Sequence, residues 1–230
     1  MERNINELVA QMTLEEKAGL CSGADFWHLK GVERLGIPGV MVSDGPHGLR
    51  KQDQEADHLG INDSIKAVCF PAACATAASF DEALLERMGR ALGEECRAED
   101  VSVLLGPAVN IKRSPLCGRN FEYFSEDPLV SGKMAAAFVR GIQSAGVSAC
   151  PKHFACNNQE FKRTKNDSRL SERALREIYL KGFEICVKES SPLNIMTSYN
   201  KINGVWSHYN YDLVTTVLRD EWGYTGNVMT

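Results

Sequence analysis

Hydrophobic positions fall into two alternating patterns along this chain. Short apolar runs recur at Gly39 to Ser43 (GVMVS), Ala67 to Phe70 (AVCF), Val101 to Leu105 (VSVLL), Val147 to Cys150, Asn194 to Ser198 (NIMTS) and Gly226 to Thr230 (GNVMT). Each is too short for a helix and predicts a buried strand. Between them the apolar residues recur at helical spacing. Leu84, Leu85, Met88, Ala91, Leu92 and Cys96 mark the buried stripe of a helix that Ser79 opens, with Glu82 completing a capping box. Asp127 as N-cap and Pro128 at the first helical position start a helix that ends at Gly146. Ser171 caps a helix through Glu189, and Pro192 breaks the chain after it. Asp212 to Trp222 is a further helix, with Gly223 just past its end. Nearer the N-terminus, Asn4 to Met12 and Thr13 to Leu20 read as helices, the second with a Thr13/Glu16 capping box. The Phe26-Trp27 pair reads as a core anchor.

Strands alternating with helices predict an α/β fold with a parallel sheet, either doubly wound or closed as a barrel. Six candidate strands are fewer than the eight of a closed barrel, so the barrel is irregular or the chain is a piece of one. The polar residues at the strand ends are the candidates for chemistry. Asp44 follows the first strand in the turn-like DGPHGLR. Arg119 lies in the stretch Gly106 to Asp127, which is too long for a simple connection. Lys152 and His153 end the fourth strand, followed by Asn157, Asn158, Gln159, Glu160 and Arg163. Tyr199 and Asn200 follow the fifth. In parallel α/β folds, sites are built at these carboxyl ends. Cations, an imidazole and amides at one end suit a ligand with many hydroxyls. Asp44 would accept two hydrogen bonds from a vicinal diol, and both cations would share it.

Composition narrows the classes. Of 230 residues 43% are hydrophobic and 24% charged, as in ordinary soluble domains. The net charge is −4, with the signs interspersed, which gives no reason to expect nucleic acid or a membrane as partner. The eight cysteines include no C-x-x-C, so zinc-ribbon and redox spacings are absent, and they read as free thiols in a reducing compartment. The N-terminus shows no signal-peptide pattern, and no apolar run is long enough to cross a bilayer. A cytoplasmic protein is expected.

The residues also carry a resemblance. SDGPHGLR, GRNFEYFSEDPLVSG, KHFACNNQE followed by Arg163, and MTSYN resemble successive signatures of glycoside hydrolase family 3, the β-glucosidases in particular. The similarity runs from Met12 to Thr230. It implies a (β/α)8 TIM-like barrel, incomplete in this chain, with residues 1–230 as part of the family's N-terminal barrel domain and a C-terminal sandwich domain absent. It implies hydrolysis of terminal β-D-glucosyl residues through a covalent intermediate, with no metal or organic cofactor. By the resemblance, Asp44, Arg119, Lys152 and His153 bind hydroxyls of the non-reducing sugar. Arg163 supports that pocket, and Met196 and Tyr199 line it near the reacting centre. Glu122 and Glu126 look structural.

The catalytic carboxylates depart from the family pattern. The family's nucleophile is an Asp in a Val-Met-Ser/Thr-Asp-Trp stretch, and here the sequence closes on Val228-Met229-Thr230. The nucleophile is therefore expected directly after Thr230 and the acid/base Glu in the further domain, with none within the chain. The remainder of its own chain is then an expected partner beside a β-glucoside or oligosaccharide. The β-N-acetylglucosaminidase branch carries Asp-Ser-His after its KHF stretch. Here Asp167-Ser168 is followed by Arg169, so that branch does not fit. Other readings are a relative acting on β-xylosides, a non-catalytic sugar-binding protein, and an aldolase with Lys152 as Schiff base.

Overall fold

The structure is a computed structural model that describes residues 4–52 and 63–230. The sequence-predicted second strand, Ala67 to Phe70, is not a strand. Its backbone bonds elsewhere: Phe70 N–H donates to the His47 carbonyl at 2.8 Å, and Val68 N–H to Glu95 Oε1 at 3.1 Å. Nine strands form: β1 (His28–Leu29), β2 (Val40–Asp44), β3 (Val101–Leu105), β4 (Ser148–Ala149), β5 (Asp167–Ser168), β6 (Asn194–Met196), β7 (Lys201–Ile202), β8 (Val205–Trp206) and β9 (Asn227–Met229), counted among the described residues. The α-helices are α1 (Ile5–Gln11), α2 (Leu14–Leu20), α3 (Ala73–Ala77), α4 (Glu82–Ala98), α5 (Pro128–Ser144), α6 (Glu172–Ala174) and α7 (Lys181–Ser190).

β2, β3 and β4 run parallel, and β1 lies antiparallel on the edge of β2. Just past β4 the chain bonds to β6, where Met196 N–H donates to the Pro151 carbonyl and Phe154 N–H to the Met196 carbonyl, at 3.0 and 2.8 Å. β6 in turn pairs parallel with β9. Five parallel strands thus point their carboxyl ends the same way. A closed ring of eight strands does not form among the described residues: β1 is antiparallel, and β9 pairs only with β6.

Both faces of this array are apolar, as expected of a parallel sheet. Side chains alternate along each strand. Leu104, Ala149 and Ile195 join a large core with Leu85 and Leu92 of α4, Phe138 and Ile142 of α5, and Phe183 of α7. Val42, Val103 and Cys150 face the other way, with Met196 and Met229 against them. The helices cover the first face. α4 and α5 approach closely, and glycine makes this possible. A Cβ on Gly89 would lie 2.4 Å from the Phe138 carbonyl oxygen, and one on Gly141 would lie 2.1 Å from that of Glu86. The buried stripe of α4 is therefore Leu85, Met88, Gly89, Leu92, Gly93 and Cys96, while Leu84 is exposed and Ala91 only half-buried.

Local signals set most boundaries. The Thr13/Glu16 capping box forms, at 3.2 and 2.9 Å. Asp127 accepts from the N–H groups of Leu129 and Val130, with Pro128 opening α5. Ser171 caps α6 by accepting from Ala174 N–H. The cap of α4 is a correction. Asp81, not Ser79, accepts from Leu84 N–H at 2.9 Å, because the Ser79 hydroxyl donates back to the Thr76 carbonyl at 2.6 Å. The β7–β8 hairpin was not predicted. Its turn is Asn203-Gly204, with φ of 50° and 94°, the backbone that a tight hairpin needs and that Asn-Gly supplies.

A candidate sugar-binding site at the carboxyl ends of the parallel strands

Asp44 is the last residue of β2, and Lys152 and His153 lie three and four residues past β4. Because the two strands run parallel one strand apart, their ends bring these groups together. Lys152 is 3% exposed, and its ammonium donates to Asp44 Oδ1 at 2.7 Å. The long loop after β3 returns over the same end and adds Arg119 and Glu122. Arg119 Nε donates to Glu122 Oε1 in a very short contact, while Glu122 Oε2 stands 3.6 Å from Lys152 Nζ. The other arm of Arg119 reaches His153 Nε2 at 2.9 Å. The result is a row of alternating charge, Asp44, Lys152, Glu122 and Arg119, ending at the His153 ring. Asn110 fixes the backbone below it, donating to the His153 carbonyl at 3.0 Å and accepting from its N–H at 2.8 Å.

Above this floor opens a cleft of about 730 Å³. Asp44, His47, Arg119, Glu122, Glu160 and Arg163 are among its walls, with Phe121 and Val68. Arg163 is held at the side by Glu160 at 3.1 Å and lies over the Tyr199 ring, 5.0 Å from its centroid. Glu160 also accepts from Asn157, whose amide donates to the Tyr123 hydroxyl at 2.9 Å. The structure therefore brings Asp44, Arg119, Lys152, His153 and Arg163 to one place. Lys152 and His153 lie beneath the cleft, bonded to its lining residues Asp44 and Arg119, and like Met196 and Tyr199 they are not among its walls. Met196 packs against Val42, Val103 and Cys150, because its position on β6 faces away from the helices, and Tyr199 is half exposed beneath Arg163.

The protonation states follow from these contacts. Burial raises the Asp44 carboxyl, but the charge and hydrogen bond of Lys152 and the Gly45 N–H outweigh it and hold it below the usual Asp value. Burial, then the charges of Lys152, Arg119 and Arg163, push His153 well below the usual His range. A guanidinium only donates, so His153 Nε2 accepts and the neutral ring carries its proton on Nδ1. That Nδ1 has no hydrogen-bond partner among the described residues. His47 is likewise lowered, chiefly by burial. A depressed histidine costs nothing while both states are neutral. Below the ordinary value of about 6.5 the unfolded chain takes up a proton that the native site refuses, so stability falls with pH. The urea midpoint should drop between pH 7.5 and 5, at up to roughly 1.4 kcal/mol per pH unit for His153. His153→Asn should flatten that slope. An equally steep slope in the variant would place the titration elsewhere.

The buried Glu122 and Asn110 and the half-buried Glu160 organise the site, and the sequence alone did not single them out as its organisers. The signal for Glu122 was its place three residues after Arg119 in GRNFE. Asn110 had none, since it contacts residue 153 only through the fold. No cluster of three or more metal-ligating side chains occurs among the described residues.

The sequence profile of the glycosyl hydrolase family 3 N-terminal domain matches residues 29–230. The chain belongs to glycosyl hydrolase family 3. It is 58% identical over its whole length to thermostable β-glucosidase B of Acetivibrio thermocellus, spanning 30% of that protein. It is 55% identical over 96% of its length to an exo-α-(1→6)-L-arabinopyranosidase of Bifidobacterium breve, again spanning 30% of it. Among solved structures it superposes on β-glucosidase 3B of Thermotoga neapolitana, in complex with α-D-glucose, with a TM-score of 0.91 at 47% identity. That match covers 97% of this chain and 33% of the other. These family 3 relatives are glycoside hydrolases, and this chain corresponds to their N-terminal third.

Proposed function

We propose that this chain holds the non-reducing sugar in a β-glucosidase that releases terminal β-D-glucosyl residues with retention of configuration. The observation that carries the reading is the row Asp44, Lys152, Glu122, Arg119 and His153 at the carboxyl ends of parallel strands. Charged donors and acceptors fixed in this way make strong hydrogen bonds to hydroxyls. A sugar lacking one of those hydroxyls leaves them unpaired, which is a source of stereochemical selectivity. The Schiff-base alternative finds no support. Lys152 is engaged by two carboxylates, whereas an amine nucleophile is freed by apolar or cationic neighbours.

Double displacement needs two carboxyl groups about 5 Å apart across the scissile bond. In this reading both come from outside residues 1–230, the nucleophile from directly after Thr230 and the acid/base from a further domain. The length of the relatives beyond the matched third supports this. The parallel array, in the same reading, is most of a (β/α)8 barrel. The eight unpaired thiols, four of them buried and pushed up to about 12, accord with a reducing, cytoplasmic setting.

The test is proton NMR of aryl β-glucoside hydrolysis by the complete protein. β-Glucose as the first product is expected, and α-glucose would overturn the retaining mechanism. A second reading of the sugar has specific support, since two relatives at 55% and 54% identity are named exo-α-(1→6)-L-arabinopyranosidases. Higher kcat/KM on an aryl α-L-arabinopyranoside than on the β-glucoside would favour it.

A further inference from the structure

Two cations and two carboxylates form the floor of the cleft, and the carboxylates are not equivalent. Asp44 is about one-third exposed and stands where a hydroxyl can reach it. Glu122 is 2% exposed, and both its oxygens face cations, Arg119 on one side and Lys152 on the other. A carboxylate buried this far is costly unless paired, and an apolar side chain of similar size would pack there more cheaply. Its charge, rather than its volume, distinguishes it.

We propose that Glu122 is a positioning residue that also sets specificity: by balancing Arg119 and Lys152 it restricts the cleft to uncharged sugars and rejects sugars bearing a carboxylate. This rests on the proposed sugar-binding role of the cleft. Without Glu122 the floor would hold Arg119 and Lys152 against Asp44 alone. An unmatched arginine is a ready partner for a carboxylate, which it binds with two parallel bonds. The wall follows the same rule, since Arg163 is matched by Glu160 at 3.1 Å. Arg50, also at the cleft, is exposed to water, which screens it. Glu122 also holds Arg119 by its Nε, which leaves the other arm aimed at His153.

The test uses methyl 1-thio-β-D-glucoside and methyl 1-thio-β-D-glucuronide, whose sulfur linkage resists hydrolysis and which differ only in a CH2OH or a carboxylate at one carbon. Their dissociation constants are measured by ligand-observed NMR titration on the complete protein and on Glu122→Gln and Glu122→Asp. The wild type should prefer the glucoside. Glu122→Gln should shift the ratio toward the glucuronide by about tenfold or more. Glu122→Asp should keep the wild-type ratio even if both sugars bind more weakly. A purely structural role would weaken both sugars alike, so an unchanged ratio in Glu122→Gln overturns the inference. If that variant does not fold, the wild type still decides: glucuronide bound as tightly as glucoside overturns it. A wild type that binds neither sugar would instead overturn the sugar-binding reading itself.

Discussion

Replacing Asp44 by alanine in the complete protein should lower kcat/KM on an aryl β-glucoside by roughly a hundredfold, or about 3 kcal/mol. The magnitude follows from the charge-assisted hydrogen bonds that a carboxylate at the end of β2 would make to two neighbouring hydroxyls, each worth about 1.5–3 kcal/mol. The loss should appear in transition-state binding rather than in folding. Asp44 is partly exposed, and its removal leaves Lys152 with Glu122 still nearby. A loss below about tenfold, or 1.4 kcal/mol, would reduce Asp44 to a turn residue. The structure changes one part of the sequence-based argument. Asp44 was expected to serve both cations. Its oxygen contacts Lys152 at 2.7 Å, while Glu122 is the carboxylate that stands between Lys152 and Arg119.

Removal of Lys152 should act on the fold as well as on the site. Lys152→Met keeps the aliphatic stem and deletes the buried ammonium. Glu122 then stays buried with Arg119 alone, and Asp44 loses its 2.7 Å partner. Breaking a buried pair by removing one member costs about 3–5 kcal/mol, because the remaining charge is left uncompensated. Equilibrium urea unfolding of the variant should show a loss near the lower end of that range, since Arg119 still neutralises Glu122. Turnover should be lost together with stability. A change in stability below about 1 kcal/mol would mean that water reaches the floor of the cleft and screens these charges.

Much of this was legible in the sequence, for identifiable reasons. Helices with side-chain caps were found because the cap is local: Thr13, Asp127 and Ser171 each accept from an N–H two or three residues ahead. Strands buried on both faces were found as short apolar runs. Ala67 to Phe70 has that composition without a partner strand, and composition alone does not reveal pairing. The Asn203-Gly204 turn was a readable hairpin signal that the short strands around it obscured. Asp44, Arg119, Lys152 and His153 were legible as polar groups placed where strands end. Met196 is placed differently from these. It also sits at a strand end, yet the alternation of side chains turns it into the apolar cluster with Val103 and Cys150. Asn110 was hidden, because it acts across the fold on residue 153. The close approach of α4 and α5 was hidden too, since Gly89 and Gly141 carry no apolar side chain for a periodicity to register.

The most direct test of the central claim is a crystal structure of the complete protein soaked with D-glucose. The sugar should lie in the cleft with adjacent hydroxyls within hydrogen-bond distance of Asp44 and Lys152, and others within reach of Arg119 and His153. Glucose bound elsewhere, with Asp44 and Lys152 still paired only to each other, would contradict the assignment of this row as the sugar-binding site.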